Sequence, residues 1–211
     1  MADPPPSVFI VDDDPSVRES LSLLLRSAGY GVKAFASALE FLDADYSNRE
    51  IACLVLDVKM PGQSGLDLQK ELSSRNDTRP IIFITGHGDI PMGVQAMKLG
   101  AVNFLPKPFD DSDLLAAVNE ALLKASKTRD ELDERQQVLA RLETLTMREH
   151  ETLTYLITGR LNKQIAFHLN IAERTVKAHR KQVLKKMGVT SIAELVRLTE
   201  KAGVKPAEPP S

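Results

Sequence analysis

Three carboxylates, a hydroxyl and an ammonium stand where an apolar run gives out. Asp12 and Asp13 follow the run 7–11, Asp57 follows 51–56, Thr85 ends 80–85, and Lys107 sits between Pro106 and Pro108. Carboxylates crowded into one place repel one another unless a cation lies among them. An all-oxygen ligand set with room for water suits Mg²⁺ better than zinc. A hydroxyl and an ammonium beside such a cation would offer a phosphoryl group hydrogen bonding and charge compensation. Asp57 then reads as a carboxylate nucleophile that forms an acyl phosphate. Taken singly, each residue has a plainer explanation. Asp12, Asp13 and Asp14 could cap a helix, Asp57 could solubilise a strand end, Thr85 is β-branched, and Lys107 could be a surface charge. The agreement of five residue types at matching places favours the chemical reading.

Only a fold that gathers the ends of several strands can unite these groups. Apolar runs predict strands over 7–11, 31–35, 51–56, 80–85 and 101–104. Asp14 is a natural N-cap with Pro15 at the first helical position, Val17, Leu21, Leu24 and Leu25 form a stripe, and Gly29 closes the helix. Further helices fit 37–42, 64–73, 90–99 and from 110 onward. Five strands alternating with five helices predict an α/β unit, a parallel sheet covered on both faces. Such sheets place their ligands at the carboxyl ends of the strands, where all five residues lie.

The stretches VDDDP, LVLDVKMPGQSG, ITGHGD and FLPKPF resemble the response-regulator receiver domain over about residues 5–124, within a first domain of residues 1–124. The resemblance implies a doubly wound sheet of strand order 2-1-3-4-5 and Asp57 as phosphoacceptor. It implies Mg²⁺ bound directly by Asp13 and Asp57, by Asp12 mainly through water, and by the Lys59 backbone carbonyl. Thr85 and Lys107 would contact the phosphoryl oxygens, helped by backbone N–H groups near Lys59 and Gly86, with a cis Lys107–Pro108 bond aiming the ammonium. Phe104 takes the place of an aromatic switch that turns inward as Thr85 moves, and it also suits core packing. Aspartyl-phosphate hydrolases of the haloacid dehalogenase type carry a second Asp two residues after the nucleophile. Lys59 stands there, so water lacks its base and the phosphoryl group should persist. His87 is a candidate modulator of its loss, or simply a loop residue.

Beyond residue 140 the charge reverses. Residues 1–140 carry 14 Lys and Arg against 22 Asp and Glu, whereas 141–211 carry 13 against 7. Helices are predicted over 146–157, 162–169, 172–187 and 191–201, broken at Gly159, Asn170 and Gly188. Between Arg174 and Lys186 lie six basic side chains and no acid. Helical periodicity puts Val176, Val183 and Met187 on one face, and Thr175, Ala178, Lys181, Gln182 and Lys185 roughly opposite, flanked by Lys177. A short helix, a tight turn and a basic helix make the helix-turn-helix pattern, although a charge run alone is commonly just a solvated face. LTMREHETL, GRLNKQIAFHLNIAERTVKAHRKQVLKKMGV and SIAELV resemble the LuxR-type DNA-binding module over about residues 142–202, within a domain of residues 142–211 that ends in a disordered tail. The whole chain thus resembles the NarL/FixJ family of response regulators, on its FixJ-like side. That resemblance places Lys177, Ala178 and Lys181 at base edges and Arg174, Thr175 and Lys185 at phosphates. The roles of His179 and Arg180 stay open. The last helix is either a dimerisation helix or, through Ile192, Leu195, Val196 and Leu198, a core element.

Residues 125–141 form a helical linker in this reading, either a solvated spacer or a dimerising coil. Leu115, Val118, Leu122, Ala125, Leu132 and Leu139 keep roughly heptad spacing, and Arg129 and Gln136 interrupt it. No apolar run approaches the ~18 residues of a membrane helix, the amino terminus lacks signal-peptide regions, and the single Cys53 fits a reducing cytoplasm. The four histidines have no zinc-ligand spacing. The expected partners are a sensor histidine kinase, double-stranded promoter DNA, RNA polymerase and, once phosphorylated, a second copy of the chain. The rivals are a phosphorylation-dependent protein-binding adaptor and an aspartyl-phosphate phosphatase.

Overall fold

The computed structural model describes residues 5–44, 50–86 and 90–207, and His87 lies outside them. The order is β1 (Ser7–Val11), α1 (Pro15–Ser27), β2 (Gly31–Phe35), α2 (Ala38–Asp43), β3 (Ala52–Asp57), α3 (Gly65–Ser74), β4 (Ile81–Thr85), α4 (Ile90–Lys98), β5 (Asn103–Pro106) and α5 (Asp111–Glu143). It continues with α6 (Met147–Leu156), α7 (Asn162–Leu169), α8 (Glu173–Met187) and α9 (Ile192–Ala202). The strands form one parallel sheet in the order β2-β1-β3-β4-β5. Two compact units divide between Arg129 and Asp130, inside α5.

The central strands read as unbroken apolar runs because both faces of the sheet are buried. Phe9, Val11, Leu54, Leu56 and Phe83 point to one side, against Phe41 of α2, Leu68 and Leu72 of α3 and Ala96 of α4. Val8, Ile10, Cys53, Val55, Ile82 and Ile84 point to the other, against Leu21 and Leu25 of α1 and Leu114, Val118, Ala121 and Leu122 of α5. Burial pushes the Cys53 thiol up to about 12, so it stays protonated and serves packing. Asp14 caps α1 by accepting from the Ser16 N–H, with Pro15 in the first turn.

The fifth strand lies two residues later than the apolar run 101–104 predicts. Gly100, at φ +93°, ends the α4 segment and lets the Ala101 N–H donate to the Ala96 carbonyl. Ala101 therefore closes a helix, and pairing begins with Val102 N–H on the Ile81 carbonyl.

The second unit is built on Val138 of α5, Leu153 and Leu156 of α6, Ile165 of α7, Val176, Val183 and Met187 of α8, and Leu195 of α9. The end of the expected linker thus belongs to a core, because Val138 is buried and Leu142 packs beside it. On α9, Leu195 is buried and Ile192 and Leu198 pack on the same core. Of the tail expected to be without structure, residues 208–211 lie outside the described ones, and before them the Ala207 N–H donates to the Thr154 carbonyl. That carbonyl is in the last turn of α6, where helix acceptors lack an intrahelical donor.

Thr146 and Glu149 form a capping box at the start of α6, and Glu149 Oε2 also accepts from Lys186 Nζ of α8 at 2.6 Å. The Lys186 hydrogen bond, with the Thr146 backbone N–H next, holds the Glu149 carboxyl below the usual range. A group shifted down on folding lends stability above its unfolded value and loses it as pH falls through the folded one. Glu149→Gln keeps an acceptor for the Thr146 N–H but removes the charge that Lys186 meets, so it should destabilise the second unit by about 1 kcal/mol at pH 7. Denaturant titrations at falling pH should find the gap from the unsubstituted chain closing below about pH 4.

Candidate functional site

Asp12 follows β1, Asp57 ends β3, Thr85 ends β4, and Lys107 follows β5, so parallel pairing brings all four to one edge of the sheet. Lys107 Nζ donates to Asp12 Oδ2 at 2.7 Å and to Asp57 Oδ1 at 3.0 Å. Asp12 is 1% exposed and Asp57 6%. Asp57 Oδ2 accepts from the Lys59 backbone N–H at 2.7 Å, and Asp12 Oδ1 from the Asp14 N–H at 2.9 Å. Thr85 is buried, and its carbonyl accepts from the Lys107 backbone N–H. The Lys107–Pro108 bond is cis.

The charges of this cluster are mutually dependent. Burial pushes the Asp57 carboxyl above its usual range, and Asp12 adds to this, while the hydrogen bond from Lys107 pulls the other way. For Lys107, burial favours the neutral amine, but the hydrogen bonds to Asp12 and Asp57 outweigh it and raise the ammonium above an ordinary lysine. The result is a cation held between two desolvated anions, with one Asp57 oxygen on a cation and the other on an amide. A carboxylate in that setting is fixed in orientation and suited to bond formation with a phosphorus centre.

Asp13 and the Lys59 side chain are exposed at the rim, and the Lys59 N–H is already given to Asp57. The donors near the cluster are oxygens, the chemistry that Mg²⁺ selects. Lys107 itself bridges Asp12 and Asp57, and among the described residues no three His, Cys, Asp or Glu form a group set to hold a metal ion. Phe104 is half-buried on β5 and packs against the core under α4. A Cβ on Gly93 would come within 3.2 Å of its ring.

Two supports of this edge escaped the sequence reading. Arg18 of α1 donates to the Asp12 carbonyl at 2.7 Å and so holds the loop after β1. Gly65 opens α3 against β3: a Cβ there would stand 2.3 Å from the Asp57 carbonyl oxygen. A glycine just after the Ser64 N-cap, where most residues favour a helix more, was the available signal.

In the second unit Arg174, Lys177, Ala178, Lys181, Gln182 and Lys185 are exposed along α8, whereas Thr175 is half-buried. Two of the basic residues are structural. Lys186 is tied to Glu149 and to the Thr144 carbonyl, and Arg180 reaches Asn162 Oδ1 of α7 at 3.5 Å. Lys177 pairs with Glu173 at 3.3 Å, an exposed i,i+4 contact that holds it weakly. Asn170, at φ 52°, turns the chain between α7 and α8. Ala172, at the N-cap of α8, provides no capping side chain, and its carbonyl accepts from the Thr175 and Val176 N–H groups.

A doubly wound unit with a lysine-bridged acidic edge, followed by a helix-turn-helix unit with a cationic helix, defines a receiver joined to an effector. Residues 8–119 match the response regulator receiver domain, and residues 143–199 the luxR family of bacterial regulatory proteins. The response regulator protein TmoT of Ectopseudomonas mendocina is 47% identical over 92% of this chain and 88% of its own. The transcriptional regulatory protein FixJ of Azorhizobium caulinodans is 46% identical over 95% of both chains. A low-resolution structure of the response regulator StyR superposes with a TM-score of 0.82 at 49% identity, over 93% of this chain and 99% of that one. The chain belongs to the NarL/FixJ-type response regulators: it is a two-component response regulator with a receiver and a LuxR-type DNA-binding domain. Such relatives are transcriptional regulators and not classical enzymes, and receiver domains generally use Mg²⁺ at the site of phosphorylation. Among the described residues no helix is long and apolar enough to cross a membrane.

Replacing Gly65 by alanine forces either α3 or the end of β3 to shift. Gly65→Ala should destabilise the first unit by about 1–3 kcal/mol, measured by urea unfolding.

Proposed function

We propose that the chain is a cytoplasmic transcription factor switched by phosphotransfer to Asp57. The P–N bond of a sensor histidine kinase's phosphohistidine breaks, a P–O bond to Asp57 forms, and the imidazole leaves. The observation that carries this is the Lys107 ammonium bonded to both Asp12 and Asp57. It marks a place where negative charge is concentrated and already compensated. Asp12, Asp13, Asp57 and the Lys59 carbonyl would hold Mg²⁺, which when bound offsets the charge of carboxylates and phosphoryl oxygens together. Thr85 and Lys107 bind the phosphoryl oxygens, and Lys59, standing where a hydrolase keeps its second Asp, leaves only slow self-dephosphorylation.

As Thr85 moves to the new anion, Phe104 follows, and the surface of α4 and β5 shifts population between two arrangements. Val94 and Met97, exposed on α4, support this surface as the one through which two receivers pair. The homodimer sets two α8 helices on an inverted repeat. Lys177, Ala178 and Lys181 read base edges, and Arg174, Thr175 and Lys185 bind phosphates. At the promoter the dimer acts on RNA polymerase.

Size-exclusion and DNA footprinting with and without a small acyl-phosphate donor and Mg²⁺ test the whole reading. Phosphorylation should produce a dimer and a footprint, and Asp57→Asn should lose both. Lys177→Ala with Lys181→Ala should weaken specific binding by about 100-fold. Donor-stimulated dimerisation and binding that survive in Asp57→Asn would refute the mechanism, and binding unaffected by the double alanine variant would transfer the second unit to protein partners.

A further inference from the structure

The match to the luxR family begins at residue 143, yet the basic helix is held from before that point. Arg141, in the last turn of α5, donates from Nη1 to the Met187 carbonyl at 2.9 Å. Met187 is the last residue of α8, fully buried, and its carbonyl is among those that a helix leaves without an internal donor. Gly188 and Val189 donate to the Lys185 and Leu184 carbonyls, so the helix's own cap does not serve Met187. A cation at this end also meets the negative pole of the helix. The seat is close: a Cβ on Gly188, itself at φ +67°, would stand 3.1 Å from Arg141 Nη1. Lys186 ties the same turn to the Thr144 carbonyl, and buried Val138 anchors the α5 side.

We infer that Arg141 is a positioning residue for DNA recognition, and that the working DNA-reading unit starts in α5. Arg141 acts through α8. It holds the final turn, from which Lys185 projects, and fixes the axial placement of Lys181 one turn earlier. This inference rests on α8 being the helix that reads DNA. Loss of the clamp frays that turn, so the base-reading side chains lose their common frame while the charge offered to phosphates is unchanged.

The test uses the full chain and two duplexes of equal length, one selected from a random pool by the unsubstituted protein and one unrelated. Arg141→Met keeps the aliphatic stem and removes the donors. It should bind the selected duplex about tenfold more weakly, with unchanged affinity for the unrelated one and an unchanged salt slope. Arg141→Lys should restore most of the loss, and Arg141→Gln, a neutral donor, should fall between them. Equal binding by all three variants overturns the proposal. So does a parallel loss on both duplexes with a shallower salt slope, which would make Arg141 a phosphate contact. Lys181→Ala is measured alongside: if it leaves discrimination intact, the DNA-reading role of α8 fails, and if it alone lowers discrimination, only the clamp fails.

Discussion

Two desolvated carboxylates share one ammonium at the edge of the sheet, and much of the first unit is arranged so that they can. Asp12 and Asp57 end neighbouring parallel strands, a juxtaposition that repulsion would oppose if Lys107 were not between them. Lys107 comes from beyond β5, and its backbone is tied to the Thr85 carbonyl at the end of β4. Three of the four junctions after β1, β3, β4 and β5 therefore contribute charge to one point, and the fourth fixes where the ammonium starts. Arg18 and Gly65 serve the same point from α1 and α3, one by holding a loop and the other by giving way to a backbone. Both Asp57 oxygens are engaged, one by the Lys107 ammonium and the other by the Lys59 N–H, so any group added to this carboxylate would meet these contacts at once.

In the second unit positive charge divides into two uses. Lys186, Arg180 and Arg141 are spent on Glu149, Asn162 and a helix-end carbonyl. Arg174, Lys177, Lys181 and Lys185 face outward. A basic excess read from composition alone merges these groups, although the first ties the helices of the unit together and the second is left exposed. The helix α5 joins both stories, because its early residues are core in the first unit and Val138 is core in the second.

Much of the architecture was legible in the sequence because the signals were local. Unbroken apolar runs mark strands buried on both faces, and Asp14–Pro15, Ser64 and Thr146 announce helix starts through hydrogen bonds within a few residues. The fifth strand was misplaced by two residues because Ala101 is equally apolar whether it closes a helix or opens a strand. Only the Gly100 turn and the Ile81 neighbour distinguish the two. The tail was read as unable to fold by itself, and its contact with the Thr154 carbonyl depends on an acceptor about fifty residues away in the chain.

The sequence by itself determined the alternation of strands and helices, the five chemical groups at strand ends, and the sidedness of α8, since periodicity and residue type are properties of short segments. The tertiary structure decided which carboxylates share the ammonium, leaving Asp13 at the rim. It also decided which basic residues are free of structural duty, and that Arg141 closes the basic helix. Those outcomes depend on distances between atoms remote in the chain, which no local pattern encodes.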